Sequence, residues 1–573
     1  MSRRKFIKQC GILGTGALSS GAWNAALASA LQLPPGEELK SDIVIIGGGM
    51  GACAAALAAS RNGASVIMTE ATDWIGGQVS QQAVPPDEHQ WIESYGRTAS
   101  YARYRSLIRE YYHKNYPLSG MARNAEFLNP GNGAVSRICH EPAVSVAVLE
   151  SMLAPAMEQG LLRILLNTEA VEVYGEGDSI RAVSCRSGKE KRSLVLQGTF
   201  FIDASEEGDL LKLSGCEYFI GAESQEQTGE RHAPEKEDPA NIQALTWCFA
   251  MDHLEGEDFT MDPPDMYSFW KDYIPPLQPS WPGKLLSLTY THPRTLLPMT
   301  LPFIPPDKEG KIPETESLNL WLYRRLIDRN NFKAGTFQSD LTLVNWPQND
   351  FLLGNITDVP DEVRKQNLYK ARQLSLSLFY WLQTEAPRPD GGLGWKGLRL
   401  RGDITGTEDG LAKYPYIRES RRIKAEYTIV EQDISLEDRM LITGLAREKV
   451  RSKTYKDSVG IGYYALDLHP STGGDNYIDM ASVPFEIPLG AMIPQRLENL
   501  IPGCKNIGST HISNGCYRLH PVEWNIGEAA GSLCAFSKKR KTMPRQVRNT
   551  VTLLSDFQRL LKEQGVELAW PES

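Results

Sequence analysis

The sequence predicts an α/β protein in which a Rossmann-type dinucleotide-binding domain carries a large α+β insertion, a substrate or cap domain. Three observations predict it. Gly47-Gly48-Gly49-Met50-Gly51-Ala52 stands between a short apolar run, residues 42–46, and a stretch of almost pure alanine, residues 52–60. A second apolar run, 65–69, ends on the acidic Glu70. From about Cys216 to Leu500 the regular pattern gives way to a Pro- and Trp-rich mixture, after which strand-like sequence resumes. At 573 residues the chain exceeds one ordinary core, so a large insertion or more than one domain is expected.

Each element has a local reason. Residues 42–46 are short, apolar and β-branched, the composition of a parallel strand buried on both faces. The chain then turns through Gly47 to Gly51 on the pattern G-x-G-x-x-G/A, with Ala52 in the third place. Gly47 permits the tight turn, Gly49 lets backbone approach a pyrophosphate, and Ala52 keeps the following helix close to the strand. That helix presents unpaired N–H groups and positive dipole to an anion. Glu70 ends the next strand, where a carboxylate accepts hydrogen bonds from ribose hydroxyls and disfavours a 2′-phosphate.

Helical segments are expected over 91–116 and 142–158, a strand over 162–166, and a small antiparallel excursion through 171–173, 180–185 and 193–196. Residues 200–204 read as another buried strand, and Gly208 opens a short helix. Inside the insertion one clear helix runs from about Glu362 to Thr384. The last helix starts at Pro521, a residue suited to a first helical turn, and runs to about Phe536. Gly527, Ala529, Ala530 and Gly531 give it a flat side for contact with a cofactor or with the first Rossmann helix. The partition is a leader at 1–30, the dinucleotide-binding domain at 39–215 and 500–540, the insertion at 216–499, and a tail at 541–573.

Further segments fall outside the phosphate loop: Ile75-Gly76-Gly77-Gln78, Thr168-Glu169-Ala170-Val171, Asp203-Ala204-Ser205-Glu206-Glu207-Gly208-Asp209-Leu210, Pro415 to Arg422, Gly508 to Ser513, and Arg518 to Gly531. Together they resemble the FAD-dependent oxidoreductases of the glutathione-reductase-like class. Within that class the chain is similar to a bacterial group called simply "FAD-dependent oxidoreductase", or loosely "xanthan lyase". The likeness covers essentially the whole mature chain and departs from the "D-A-T-x-x-G-D-L" stretch only at Ser205. It implies FAD as cofactor, held by Gly47, Gly49, Gly51, Ala52, Glu70, Gly77, Gln78, Val171, Asp203 and Gly531, with Val171 using its backbone against adenine. It also implies that the last helix points its N-terminus at the flavin N1/O2 edge.

His511, Arg518 and His520 precede that helix and would approach the flavin ring. Hydride removal from a C–H needs a base for the neighbouring proton, and histidine has a suitable unperturbed pKa. Expected catalytic residues are therefore His520 or His511 as base, with Arg518 and Arg418. Arg418, Arg421 and Arg422 form a cationic cluster suited to an anionic substrate or, equally, to internal ion pairs. Asp467 and His469 form a further pair. The expected function is hydride transfer between a polar small molecule, a carbohydrate or hydroxy acid, and flavin, with an unidentified electron acceptor. Alternatives are a C=C reductase with Arg418 or Arg518 as proton donor, a flavin-assisted lyase, and a non-catalytic carbohydrate-binding protein on a flavoprotein scaffold.

Ser2-Arg3-Arg4-Lys5-Phe6-Ile7-Lys8 and the weakly apolar stretch to Ala30 resemble a twin-arginine export signal, implying the Tat machinery as partner and a periplasmic or otherwise exported bacterial protein. The other readings of this segment are a basic disordered N-terminus and a retained anchor. Net charge is −9, and residues 1–30 hold four basic and no acidic side chains, so the mature surface is more acidic still. Such a surface argues against nucleic acid as a partner. Nine cysteines show no C-x-x-C pair or metal-ligand spacing with the histidines, so no metal and no disulfide framework are expected. No later apolar run is long enough for a membrane span.

Overall fold

The computed structural model describes residues 36–188 and 192–571, so the expected leader at 1–30 lies outside the described residues. Five parallel strands build the central sheet: β1 (Ile43–Ile46), β2 (Val66–Thr69), β3 (Leu162–Leu165), β4 (Phe200–Asp203) and β5 (Leu500–Pro502). Their order is β5-β4-β1-β2-β3, with Ile43 opposite both Val66 and Phe200. β1, β2, β4 and β5 are buried throughout, which is why they read as unbroken apolar runs. The order reverses at β1, and the crevice beyond the carboxyl ends of β1, β2 and β4 is where such sheets bind ligands.

Small residues set the helix packing. α1 (Met50–Arg61) follows the glycine loop, and α2 (Ala99–Asn115) and α3 (Pro142–Glu158) lie further along the same domain. A Cβ on Gly51 would stand 1.9 Å from the Gly503 carbonyl oxygen. On the returning helix, a Cβ at Gly527 would stand 2.0 Å from Gly51 O, and one at Gly531 2.1 Å from Ala55 O. Gly531, expected at the cofactor, therefore belongs to the seam between two helices.

The antiparallel excursion forms a second sheet in the order Glu37–Lys40, Ser193–Gln197, Ser179–Ser187, Thr168–Glu176. Its first strand, parallel to Ser193–Gln197, directly precedes β1 in the chain. The insertion contains a four-stranded antiparallel sheet, Arg325–Ile327, Leu341–Val344, Phe249–His253 and Leu398–Leu400. Against it packs α4 (Asp361–Thr384), with Phe249 and Phe379 rings 5.7 Å apart.

After α5 (His520–Arg540), the expected tail is folded instead as α6 (Pro544–Asn549) and α7 (Val551–Glu563). Phe557 and Leu561 are fully buried there, and Trp570 Nε1 donates to the carbonyls of Gly462 and Phe485. The eight described cysteines are buried free thiols. Among the described residues no helix is long and apolar enough to cross a membrane.

Candidate functional site

The carboxyl ends of β1, β2 and β4 border a narrow cavity lined by Gly47–Gly49, Glu70, Gln81, Thr168–Ala170, Ala204–Glu207 and Tyr414. Gly47 has φ +101°, and a Cβ there would stand 2.2 Å from Ala204 O, so only glycine fits. Gly77, with φ +55°, brings its backbone against Gly49: its Cβ position is 2.9 Å from Gly49 Cα. The two glycines form a backbone cradle with no side chains of their own. Glu206 Oε1 lies beside it, 3.3 Å from the Cβ position of Gly49, while Glu206 Oε2 accepts from Lys505 Nζ at 2.6 Å. Lys505 is fully buried and also faces Glu523 at 3.6 Å. Lys505 falls in none of the sequence motifs, so its buried charge emerges only from the structure.

Glu70 accepts from Thr72 N at 2.7 Å, and burial pushes its carboxyl up to about 7. Gln78 Nε2 donates to Arg518 O at 2.9 Å and ties this cavity to the second one. Gln78 Oε1 and both amide atoms of Gln82 are buried without partners. Buried polar atoms are nearly always satisfied, so orphans grouped beside a glycine cradle fit a polar ligand.

A second cavity, of about 650 Å³, lies where the insertion meets the start of α5. Arg324, Arg418, Arg518, Asp467 and His469 line it, with Tyr323, Tyr416, Tyr464 and Tyr477.

 His469 Nδ1 is 2.6 Å from Asp350 Oδ2, and its Nε2 is 3.9 Å from Asp467. Asp350 also faces Arg418 Nη1 at 3.1 Å and accepts from the Thr246 hydroxyl. Burial alone would raise the Asp350 carboxyl, but Arg418 and His469 hold it below its ordinary value. An ionised Asp350 fixes the His469 ring through Nδ1 and leaves Nε2 facing Asp467, which also lines the cavity. The sequence pairs His469 with Asp467; the closer partner, Asp350, comes from a distant strand of the insertion.

The sequence model of the family described as "FAD dependent oxidoreductase" matches residues 42–561. The chain belongs to that family. Its cofactor is accordingly FAD, and the glycine cradle, Glu70 and the orphaned amides fit one. No curated protein matches the chain. Among solved structures it is similar to a geranylgeranyl bacteriochlorophyll reductase-like protein from Thermoplasma acidophilum, at 10% identity over 92% of this chain and 85% of that one, TM-score 0.32. It is also similar to the glycerol-3-phosphate dehydrogenase from Bacillus halodurans complexed with FAD, at 10% identity over 37% and 40%, TM-score 0.22. For the L-proline dehydrogenase from P. horikoshii the values are 16% identity and TM-score 0.16 over 33% of this chain, and the match spans only 25% of that protein's length.

The other expected site residues of this flavoprotein take the following places. Val171, expected to offer its backbone, is 37% exposed and follows the cavity-lining Thr168–Ala170, where the strand pairing shifts register between Ala170 and Glu172. Asp203 is a bracket beneath the cavity: its carboxylate accepts from the Ser205 amide and hydroxyl and from Leu211 N. Gly51 and Ala52 pack at the start of α1, Gly51 against Gly503.

His520 is fully buried, and its Nδ1 accepts from Asp87 N at 3.0 Å. Burial pushes it down to about 4, although Asp87 opposes that. The neutral ring therefore carries its proton on Nε2, which has no partner. With Nδ1 engaged by the Asp87 amide, the ring holds that backbone in place. His511 is held by Glu419 at 2.9 Å, and this carboxylate raises it against the effect of burial. Glu419 in turn pairs with Arg422, and Arg421 pairs with Asp358 at 2.8 Å. Of the three clustered arginines only Arg418 lines the cavity.

Glu230 lies in the same buried ionic region. Its Oε1 accepts from Glu431 N at 2.7 Å and from the Thr510 hydroxyl, Oε2 has no partner, and burial pushes it up to about 7. The folded state thus keeps a proton that the unfolded state, near pKa ~4.3, releases, so stability falls as pH rises through that interval. Glu230→Gln mimics the protonated form. We expect its thermal unfolding to match the parent near pH ~4 and to exceed it above pH ~7 by on the order of 2 kcal/mol. A difference that does not change with pH would contradict this.

Proposed function

We propose that the protein oxidises a hydroxyl-bearing polar small molecule, a carbohydrate or hydroxy acid, in the ≈ 650 Å³ cavity, with His469 as the base. The observation that carries this reading is the His469–Asp350 pair at 2.6 Å, in a histidine that lines the cavity. In this reading Gly47, Gly49 and Gly77 give backbone access to the pyrophosphate, the N-terminus of α1 and Lys505 offset its charge, and Glu70 accepts from the ribose. Gln78 joins the cofactor end to the substrate end through Arg518.

When bound, FAD supplies the two-electron acceptor for hydride removal. His469 Nε2 takes the substrate hydroxyl proton, and Asp350 holds the ring and stabilises the resulting imidazolium. Arg418 and Arg518 orient substrate oxygens. Both keep a buried Nε without a partner, while their Nη atoms are engaged by Asp350 and Asp467. His520 fixes the backbone at Asp87, whose carboxylate pairs with Arg324 at 2.9 Å.

An anaerobic panel of sugars and hydroxy acids tests the reading. One class should bleach the visible flavin band, and consumption of substrate without bleaching would favour a lyase. The electron acceptor is a second component, to be sought by reoxidation assays. Export by the Tat machinery to the periplasm is part of the proposal on the strength of Arg3-Arg4. Replacing both by Lys should leave unprocessed precursor inside the cell; normal export of that variant would reject it.

A further inference from the structure

We infer that the cavity takes the reacting unit of a neutral oligosaccharide and that the neighbouring unit stacks on an aromatic platform at its mouth, formed by Trp91, Tyr95 and Tyr463. The inference rests on the reading of the cavity as an oxidation site and narrows its substrate class.

The first observation concerns charge. The guanidinium groups set in the cavity walls already have carboxylates: Arg324 with Asp87 at 2.9 Å, Arg418 with Asp350 at 3.1 Å, Arg518 with Asp467 at 3.3 Å and Arg294 with Asp479 at 3.0 Å. Arg447 stands exposed at the rim. Walls made of paired donors and acceptors match hydroxyl groups, each of which donates and accepts, better than they match a net anion.

The second observation is the mouth. Tyr463 and His89 line the cavity, and Tyr463 continues outward to Trp91, with ring centroids 5.2 Å apart. Trp91 and Tyr95 lie nearly parallel, 18° between planes at 6.0 Å. Trp570 stands edge-on to Trp91, Tyr95 and Tyr463, and its indole N–H is pinned by the Gly462 and Phe485 carbonyls. Trp91, Tyr95 and Tyr463 are each partly exposed, and Trp91 Nε1 and the Tyr95 and Tyr463 hydroxyls make no hydrogen bond within the described chain. Core aromatics bury their rings and satisfy their polar tips; these are rigidly backed, partly exposed and keep their polar tips without a partner in the described chain. Fixed ring faces with free donors at their edges suit the apolar face and hydroxyl rim of a sugar.

The test uses the holoenzyme, α- and β-linked neutral di- and trisaccharides of hexoses and pentoses, their monosaccharides, and an oligogalacturonate as the anionic arm. Calorimetric binding and flavin bleaching are read in parallel. Some neutral oligosaccharide should bind at least about 10-fold tighter than its monosaccharide. Trp91→Ala and, independently, Tyr95→Ala should erase that advantage in KM while kcat for the monosaccharide is unchanged, and Trp91→Phe should restore most of it. The inference is overturned if no neutral oligosaccharide binds, if only the galacturonate binds, or if the advantage survives both alanine variants. Trp91-dependent binding without bleaching would uphold the platform and sink the oxidation reading; bleaching by a monosaccharide with no oligosaccharide advantage would do the reverse.

Discussion

Gly49→Asp should purify as a folded, colourless protein. A Cβ at position 49 meets Glu206 Oε1 at 3.3 Å, the far end of a side chain that can shift, so the fold survives. The added carboxylate then stands beside Glu206, on the surface that the pyrophosphate must approach. At about 5 Å and an effective dielectric constant of about 20, each like-charge pair costs about 3 kcal/mol, or about two orders of magnitude in affinity. Two phosphates double that. Gly51→Ala is a different case, because its Cβ would stand 1.9 Å from Gly503 O and the helix seam itself would have to open. The check is the FAD-to-protein ratio of Gly49→Asp beside its thermal melt. Full FAD occupancy would remove the cradle from the cofactor site.

His469→Ala should keep the flavin colour and lower the rate of reduction by substrate by about 10² to 10⁴. His469 lies in the cavity of the insertion and not in the glycine cradle, so cofactor retention is unaffected. The loss should fall on kcat. Asp350→Asn should cost rate as well, but it also strips Arg418 of its buried partner, a change typically worth ~3–5 kcal/mol of stability. His469 is therefore the cleaner variant. Stopped-flow bleaching under anaerobic conditions is the measurement, and an unchanged reduction rate would transfer the role of base elsewhere.

The cofactor end was the legible end. β1, the glycine loop, α1 and Glu70 lie within 28 residues of one another, so their spacing alone describes one βαβ unit. Gly77 was legible only through family likeness, because its closeness to Gly49 is a tertiary fact. The catalytic end was largely hidden. Asp350 and His469 are 119 residues apart, and the adjacent Asp467 is the more obvious partner on paper. His520 has the right chemistry and neighbourhood, but burial and the Asp87 amide, which no local pattern announces, leave it neutral. Gly527 and Gly531 signal a close approach without saying to what; the answer is α1. Leu553, Leu554, Phe557 and Leu561 in the expected tail are spaced as one face of a helix, the pattern that α7 buries.

The central claim is that one continuous site holds FAD at the glycine cradle and presents a hydroxylated substrate to His469. Anaerobic mixing of the purified protein with that substrate class, followed at the visible flavin band, tests it most directly. The account predicts a yellow protein that bleaches with substrate and far more slowly as His469→Ala. A protein that purifies without FAD, or a flavin that stays oxidised while substrate is consumed, would contradict it.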